Sequence, residues 1–327
     1  MGFPIELTNA IESELNKNIK LENIDKSAKE ISKRYRANDN DGKRLLTKSD
    51  EAIAYAFSRM PATYESVYST LNKVMENNKF EINTIFDVGA GTGAGTWAAC
   101  EILGEKDFYC FEREKAMIQT GKKLMTCSES LKNVKWNEFD IIKDDFSNSS
   151  DLIIVSYMIN ELQKSNIENV IEKLWNATNK ILLIIEPGTP KGFSNIKLIR
   201  EKLINKNANI IAPCPHEKNC ELDKNDWCHF TCRVQRSKIH KKLKDGQAAY
   251  EDEKFSYIAF SKTDIKKSDN RILRHPIINK GYSEFKVCTK DGIKNIKLSK
   301  KDGQLYKQAR KQSSGDSLKL LEKNKAP

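Results

Sequence analysis

The sequence predicts an α/β protein built on a doubly wound, Rossmann-like parallel sheet. Residues 85–97 read IFDVGAGTGAGTW, in which a short apolar strand opens into a glycine-rich turn and then into an amphipathic helix pattern. From residue 81 onward, apolar segments of strand length alternate with segments of helical period. Strands separated by helix-length connections are typical of βαβ units, and therefore of a parallel sheet with helices on its faces.

The glycine-rich turn predicts a nucleotide site. Its glycines are Gly89, Gly91, Gly93 and Gly95. They let backbone N–H groups approach a ligand closely, and the following helix start offers further donors. Asp87, two residues before the first glycine, would repel a pyrophosphate but attract the ammonium group of S-adenosylmethionine. Glu112 ends the next strand, where a carboxylate can accept hydrogen bonds from both ribose hydroxyls. The two acids favour S-adenosylmethionine over a dinucleotide; a turn without a ligand is the remaining alternative.

Composition describes a polar globular chain. It has 327 residues, of which 39% are hydrophobic and 31% charged. This length suits two domains, or one α/β domain with additions. No run of eighteen apolar residues indicates a membrane span, and the N-terminal sequence MGFPIELTNAIESEL lacks the pattern of a signal or transit peptide. We therefore expect a cytoplasmic protein with no membrane partner, and a monomer.

The positive charge lies in the last third of the chain. Residues 233–327 carry 25 Lys and Arg against 11 Asp and Glu, whereas the first 232 residues carry 31 against 34. A localised basic region is typical of a protein that binds RNA or DNA. A solvated basic surface in a lysine-rich chain is the alternative.

The first 80 residues have helical period. Leu7, Ile11, Leu15 and Ile19 form one apolar stripe, and residues 23–36 form another. A third helical segment covers residues 49–77, with Ser49 or Asp50 as its N-cap and a break near Pro61. We expect this region to cover the open edge of the nucleotide site.

The alternating region gives five strands and four helices. The strands are predicted at 82–88, 107–112, 134–138, 151–157 and 180–186, and the helices at 95–104, 113–127, 165–178 and 194–205. Ligands of such sheets bind beyond the carboxyl ends of the strands. That rule groups Asp87, Gly89, Gly91, Glu112, Asp140, Ser156 and Tyr157 around one pocket. Asp140 follows the third strand, where a methyltransferase would hold the adenine amino group, although Asp144 and Asp145 lie close behind.

Short β-like segments follow residue 250. They are 255–261, 271–278, 284–288 and 293–298, with turns at Asp291-Gly292 and Asp302-Gly303. They predict a small, basic, antiparallel β subdomain, compatible with an OB-like barrel.

The cysteines divide into two groups. Cys100, Cys110 and Cys127 fall within predicted sheet and helix segments, and we interpret them as structural. Cys214, Cys220 and Cys228 lie in a polar loop, with Cys232 four residues later and Cys288 distant in sequence. Thiols at this density favour a metal ion or a cluster, with a structured loop of free thiols as the alternative. The wide spacing argues modestly against zinc and permits an iron–sulfur cluster. His216 and His229 are alternative ligands.

A basic segment follows these cysteines. Its candidate RNA-binding residues are Arg233, Arg236, Lys238, Lys241 and Lys242. With the aromatic residues of 250–260 they could bind phosphates and stack bases. A solvated helix followed by a core strand is the alternative.

Several longer strings carry a family resemblance. PCPHEKNC, DWCHFTCRVQRSKIH, YEDEKFSYIAFSK, RILRHPIINKGYSEFKVCTKDG and RMPATY, together with the glycine stretch, resemble the methyltransferase-like small-subunit ribosome assembly family, which occurs in mitochondria and bacteria. The resemblance implies an S-adenosylmethionine-type Rossmann domain, a [4Fe–4S] site and binding to small-subunit rRNA. Carried over by position, the cluster ligands are Cys214, Cys220, Cys228 and Cys288, with Cys232 outside the pattern. The N-terminal sequence fits the bacterial cytoplasm better than the mitochondrial matrix.

The full expectation is a Rossmann-like methyltransferase fold with additions at both ends. The predicted parts are an N-terminal helical region (1–80), the methyltransferase domain (81–207) and a basic β-rich domain with the cysteine cluster (208–327). The expected function is that of a small-subunit assembly or translation factor. An active rRNA methyltransferase with a zinc- or cluster-stabilised domain is the alternative, and a zinc-stabilised nucleotide-binding oxidoreductase is disfavoured by Asp87. Residues 156–161 read SYMINE and lack the prolines of a base N-methylation motif, so no catalytic residue is assigned.

Overall fold

The computed structural model describes residues 2–18, 48–222, 225–235 and 249–318. Among these residues, the first three helices are α1 (Ile5–Asn18), α2 (Ser49–Ser58) and α3 (Met60–Met75). The predicted stripe of α1 is buried at Leu7, Ile11 and Leu15, whose side chains are at most 4% exposed. Ile19 and the predicted second helix at 23–36 lie outside the described residues.

A break at Arg59 separates α2 from α3. Pro61 occupies the first turn of α3, where its missing N–H removes no intrahelical bond. The N-cap of α2 is Lys48, one or two residues before the predicted Ser49 or Asp50. The backbone N–H of Lys48 donates to Glu51 Oε2 at 3.2 Å, so the carboxylate of the first turn stabilises this helix end.

The main sheet has eight strands. They alternate with helices in the first part of the chain: β1 (Thr84–Val88), α4 (Ala94–Leu103), β2 (Asp107–Glu112), α5 (Lys115–Met125), β3 (Lys135–Glu138), β4 (Ser150–Ser156), a 3-10 turn (Ile159–Glu161), α6 (Lys164–Ala177), β5 (Thr178–Pro187) and α7 (Pro190–Ile204). β6 (Asn209–Ala212), β7 (Phe230–Gln235) and β8 (Tyr250–Ser261) complete the sheet. The order is β3-β2-β1-β4-β5-β8-β6, with β7 also paired to β8.

This topology confirms the Rossmann-like α/β fold class. β1 to β5 are parallel in the order 3-2-1-4-5, so the chain reverses direction across the sheet between β1 and β4. Residues 152–155 of β4 and 181–185 of β5 are fully buried, as expected for central strands covered by helices on both faces.

β8 corrects the predicted place of residues 255–261. This segment was assigned to the C-terminal subdomain, but it pairs antiparallel with β5, β6 and β7 in the main sheet. The reason is its composition, since Ile258, Ala259 and Phe260 are fully buried and need cover on both faces. The division of the chain into three domains stays a prediction.

A second, smaller antiparallel sheet follows β8. It contains β9 (Asn270–Ile272), β10 (Ile277–Ile278), β11 (Tyr282–Thr289) and β12 (Gly292–Ser299), and a 3-10 turn (Lys300–Asp302) and α8 (Gly303–Ala309) follow it. β11 pairs with β12 on one side and with β9 and β10 on the other. The predicted β-rich part is therefore present, but a four-stranded sheet, in which three strands pair with the central β11, does not form the five-stranded OB-like barrel. Its core includes Ile272, Phe285 and Leu298.

Among the described residues, no helix has both the length and the apolar character that crossing a bilayer requires.

Candidate cofactor cleft and cysteine cavity

A cleft opens at the carboxyl ends of the parallel strands. Its volume is about 840 Å³, including the part open to solvent. Residues that follow β1, β2, β3 and β4 line it, which is where α/β sheets bind their ligands. The predicted residues among them are Gly89, Gly91, Glu112, Asp140, Ser156 and Tyr157. The structure thus brings to one cleft six of the seven residues that were grouped by their strand ends, and Asp87 is the exception.

The glycine turn between β1 and α4 has the conformation that requires glycine. Gly89 and Gly91 have φ angles of +69° and +57°. A Cβ atom on Gly89 would lie 2.7 Å from Met158 Cγ, so a side chain there collides with the opposite wall of the cleft. Gly93 has φ +90° and forms the N-cap of α4, behind the residues that line the cleft.

Asp87 lies behind the glycine turn and not in the cleft. Its side chain is 1% exposed, and its Oδ2 accepts hydrogen bonds from the backbone N–H (2.8 Å) and the hydroxyl (2.9 Å) of Thr96. Burial raises the pKa of Asp87 to about 6. The carboxyl group therefore fixes the first turn of α4 to the end of β1, whereas its expected contact with an ammonium group stays a prediction.

Glu112 lies at the end of β2 and is held in place by two backbone donors. The N–H of Gly91 donates to its Oε2 at 2.8 Å, and the N–H of Glu114 donates to its Oε1 at 2.9 Å. Burial raises the pKa of this carboxyl group, and the hydrogen bonds from the two backbone N–H groups oppose that shift. A carboxylate has about four acceptor positions, so two remain for hydroxyl donors in the cleft.

Asp140 is distinguished from its two acidic neighbours. It lines the cleft, and its Oδ1 accepts the N–H of Ile142 at 3.1 Å. Asp144 instead accepts the backbone N–H of Asp140 at 2.7 Å, and Asp145 pairs with Lys173 at 2.9 Å. Among the three acids, Asp140 is therefore the one placed to meet a ligand.

Two tyrosines also lie in the cleft wall, one predicted and one not. Tyr157 was predicted from its position after a buried strand; it follows β4 with φ +60°, and its hydroxyl donates to Glu253 Oε1 at 3.2 Å. Arg59 pairs with the same oxygen at 3.2 Å. Tyr55 of α2 also lines the cleft, so the N-terminal helices cover it as expected, and burial raises the pKa of this phenol to about 12. No local signal in the sequence indicated Tyr55.

The second candidate site is a cavity beside α7. Four cysteines line it: Cys214, Cys220, Cys228 and Cys288. The first three come from the loop between β6 and β7, and the fourth comes from β11 of the small sheet. The small sheet therefore supplies one thiol, and a loop between two strands of the main sheet supplies the other three.

Three of the four thiols that line this cavity are desolvated. Burial raises the pKa of Cys214, raises that of Cys288 to about 12 and raises that of Cys228 well above the ordinary thiol value. His216 Nε2 lies 3.7 Å from Cys288 Sγ and also lines the cavity. In the described ranges, no group of three or more His, Cys, Asp or Glu side chains is arranged to hold a single metal ion.

Cys232 is separated from these four thiols. It lies on β7 and does not line the cavity. Burial raises the pKa of Cys232, and the nearby carboxylates of Glu253 and Glu65 add to that shift.

One of the predicted RNA-binding residues is described. Arg233 is exposed on β7, where its guanidinium lies 3.8 Å from the ring centre of Tyr250 and 3.6 Å from Asp252. Arg236, Lys238, Lys241 and Lys242 lie outside the described residues. Their RNA-binding role stays a prediction.

Comparisons with known sequences match most of the chain. The model of a family described as mitochondrial small ribosomal subunit Rsm22 matches residues 49–319. Human mitochondrial ribosome assembly protein METTL17 is 25% identical over 295 residues, which cover 83% of this chain and 63% of the relative. The mitochondrial Rsm22-cox11 tandem protein 2 of Schizosaccharomyces pombe is 24% identical over 337 residues, which cover 83% of this chain and 43% of that relative. The chain thus spans less than two thirds of the length of either relative.

Solved structures give only distant matches. N-methyltransferase NodS from Bradyrhizobium japonicum aligns with a TM-score of 0.43 and 9% identity, covering 70% of this chain and 98% of that one. Magnesium protoporphyrin IX methyltransferase from Synechocystis aligns with a TM-score of 0.41 and 10% identity, covering 76% and 100%. These scores are too low to bear on function.

The expected bacterial cytoplasmic location is wrong. The matching family and both relatives are mitochondrial by name. The mitochondrial location, which was ranked second, is the one that these matches support.

Proposed function

The chain belongs to the family described as mitochondrial small ribosomal subunit Rsm22, as its resemblance implied, and we propose that it is an assembly factor of the mitochondrial small ribosomal subunit. The family match over residues 49–319 carries this proposal. In the proposed function, the chain binds small-subunit rRNA and holds S-adenosylmethionine and a [4Fe–4S] cluster as resident groups. A monomeric state stays a prediction.

The cleft supports S-adenosylmethionine as its ligand. Glu112 would accept the ribose hydroxyls, Asp140 would accept the adenine amino group, and the backbone of Gly89 and Gly91 would approach the methionine part. The residues fit this group for two reasons. A Cβ atom on Gly89 would fill the space beside Met158, and Glu112 is held in place by Gly91 and Glu114 before any ligand binds. When bound, the ligand would supply an activated methyl group.

The cysteine cavity supports an iron–sulfur cluster. Four thiols from two parts of the chain line one buried space, and four thiolates are the usual ligand set of a [4Fe–4S] centre. Cys232 lies outside that space, so the ligand set implied by the family resemblance agrees with the placement of the thiols. Since the thiol pKa values of Cys214, Cys228 and Cys288 are raised, loading the cluster must release protons.

Metal analysis combined with a binding assay tests this proposal. Protein purified without oxygen should contain roughly four iron atoms and four sulfides per chain. It should also co-sediment with isolated mitochondrial small subunits. Cys220→Ser should lose both the iron and the sulfide, whereas Cys127→Ser, an exposed thiol elsewhere, should keep them. Zinc without sulfide, or no association with the subunits, would contradict the proposal.

An active rRNA methyltransferase is the second candidate function. The observation that favours it is the cleft itself, since the ribose-binding position of Glu112 would serve an enzyme equally well. Incubation with labelled S-adenosylmethionine and small-subunit rRNA separates the two functions. Label transfer that is lost in Glu112→Gln would establish the enzyme; cofactor binding without transfer supports the assembly factor alone.

A further inference from the structure

A buried arginine shares the cavity with the four thiols. Arg200 of α7 is 4% exposed and lines the space together with Cys214, Cys220, Cys228 and Cys288. The other cationic side chain of α7 on this wall, Lys197, is exposed to solvent. Placing a guanidinium out of water is unfavourable unless negative charge or acceptors surround it. We therefore expect hydrogen-bond acceptors or negative charge next to the guanidinium of Arg200.

Part of its hydrogen-bonding capacity is used by the cysteine loop. Arg200 Nη2 donates to the carbonyl oxygens of His216 at 2.9 Å and Lys218 at 2.5 Å, both between Cys214 and Cys220 in sequence. The positive charge of Arg200 also lowers the pKa of the Cys214 thiol, against the larger effect of burial, so the guanidinium lies near this thiol. These contacts fix the loop onto α7, so the guanidinium and at least one sulfur keep a defined separation.

The Nε–H donor of Arg200 is not used by these contacts. The Nε–H group is buried and has no hydrogen-bond partner. A buried donor without a partner is costly, so in a native protein it calls for an explanation, such as a functional role or an acceptor that binds there. An unpartnered, buried N–H on a cation, in a cavity lined by thiols, fits an anionic acceptor.

The geometry points to Arg200 as the residue that compensates the charge of the cluster and sets its reduction potential, through a hydrogen bond from Nε–H to a cluster or cysteine sulfur. This inference rests on the proposed [4Fe–4S] site. Such a centre with four thiolates carries a net charge of about −2, and one more negative charge after reduction. A fixed cation favours the reduced form more than the oxidised form, because the reduced form is more negative. Arg200 therefore raises the potential.

A redox titration of the full chain tests the inference. The wild type, Arg200→Gln and Arg200→Lys would be purified anaerobically, assayed for iron and sulfide, and titrated while the reduced cluster is followed by electron paramagnetic resonance. Arg200→Gln should shift the midpoint potential downward, and Arg200→Lys should shift it less because it keeps the charge. Lys197→Gln is the matched control, since it removes one cation from the same helix and the same wall but from a solvated position. Its potential should stay near that of the wild type.

A second measurement does not depend on the variants retaining their clusters. In wild-type protein labelled with ¹⁵N-arginine, pulsed electron paramagnetic resonance of the reduced cluster should show coupling to an arginine nitrogen. An unchanged potential in a fully loaded Arg200→Gln, or no arginine coupling in the wild type, would overturn the role of Arg200 and leave the cluster proposal intact. Wild-type protein without iron and sulfide would overturn the proposed function, and this inference with it.

Discussion

The side-chain amide of Asn195 donates a hydrogen bond of 2.9 Å to the carboxyl group of Glu186, and both side chains are buried. The second carboxyl oxygen of Glu186 accepts the backbone N–H of Asn160 at 3.3 Å. Glu186 lies one residue before the end of β5, Asn195 lies on α7, and Asn160 lies in the 3-10 turn next to the cleft. One carboxyl group therefore connects the wall of the cleft to the helix that carries Arg200.

Glu186 makes the stability of the protein depend on pH. Burial raises its pKa from 4.5 to about 8. Between these values the folded protein keeps a proton that the unfolded chain has lost, so the free energy of unfolding falls as pH rises, by up to about 1.4 kcal/mol per pH unit. Urea unfolding at pH 6, 7 and 8 should show that the free energy of unfolding of Glu186→Gln rises relative to that of the wild type as pH rises. Glu168→Gln, which changes an exposed acid on α6, should show no such rise. The prediction would be contradicted if the free energies of unfolding of Glu186→Gln and the wild type changed with pH in parallel.

Gly89→Ala should weaken both the fold and the cofactor site. Its positive φ angle strains any side chain by about 1–3 kcal/mol, and the new Cβ would meet Met158 Cγ at 2.7 Å. Gly281→Ala is the matched control, because Gly281 also has a positive φ angle but nothing lies within 4 Å of its added Cβ. We expect thermal unfolding to show a loss in both variants, and calorimetry to show weaker S-adenosylmethionine binding only in Gly89→Ala. Equal affinities would mean that the glycine turn does not contact the ligand.

Glu112→Gln should weaken S-adenosylmethionine binding by about 10- to 100-fold, since hydrogen bonds to a charged group contribute roughly 1.5–3 kcal/mol. Glu138→Gln serves as the control. Glu138 ends the neighbouring strand β3 in register with Glu112, but it is exposed and pairs with Lys115 at 3.5 Å. Titration calorimetry on both variants measures the difference. The ribose role would be refuted by a Glu112→Gln protein that is folded and binds with wild-type affinity.

Cys232→Ser should keep its iron and sulfide, whereas Cys288→Ser should lose them. Cys288 lines the cavity from β11, and Cys232 lies on β7 beside Glu253. The two substitutions remove the same atom from half-buried thiols on β-strands, so an effect of thiol loss on stability alone should appear in both. Iron and sulfide per chain, with the visible absorption spectrum, is the measurement. Loss of iron from Cys232→Ser to the same extent would show that the ligand set is wrong.

Local patterns predicted the alternating part of the fold well. The observed bounds of β1 to β5 lie within two residues of the predicted ones. The reason is clearest for β1, β4 and β5, which contain buried apolar runs that end at turn residues. The place of residues 255–261 could not be predicted in this way. An apolar run does not reveal which distant strand it pairs with, and β8 pairs with β5, far back in the sequence.

The site residues also divide into those that local sequence patterns predict and those that depend on tertiary packing. Gly89, Gly91 and Glu112 follow from their positions at strand ends, and the cleft contains them. Asp87 has an equally suggestive position, but only the packing of α4 shows that its carboxyl group binds Thr96. Tyr55 and Arg200 have no local signal, since each reaches its cavity from a helix whose sequence records only an amphipathic period.

The position of β8 between β5 and β6 has a consequence for synthesis of the chain. β5 is wholly apolar over residues 181–185, and until β8 is made its outer edge has unpaired N–H and C=O groups, a state that favours aggregation. About 70 residues separate the ends of β5 and β8, which at roughly 5–20 residues per second means several seconds of exposure during translation. The nascent chain therefore has a defined interval in which a chaperone would protect it, and that interval closes when Ser261 has emerged.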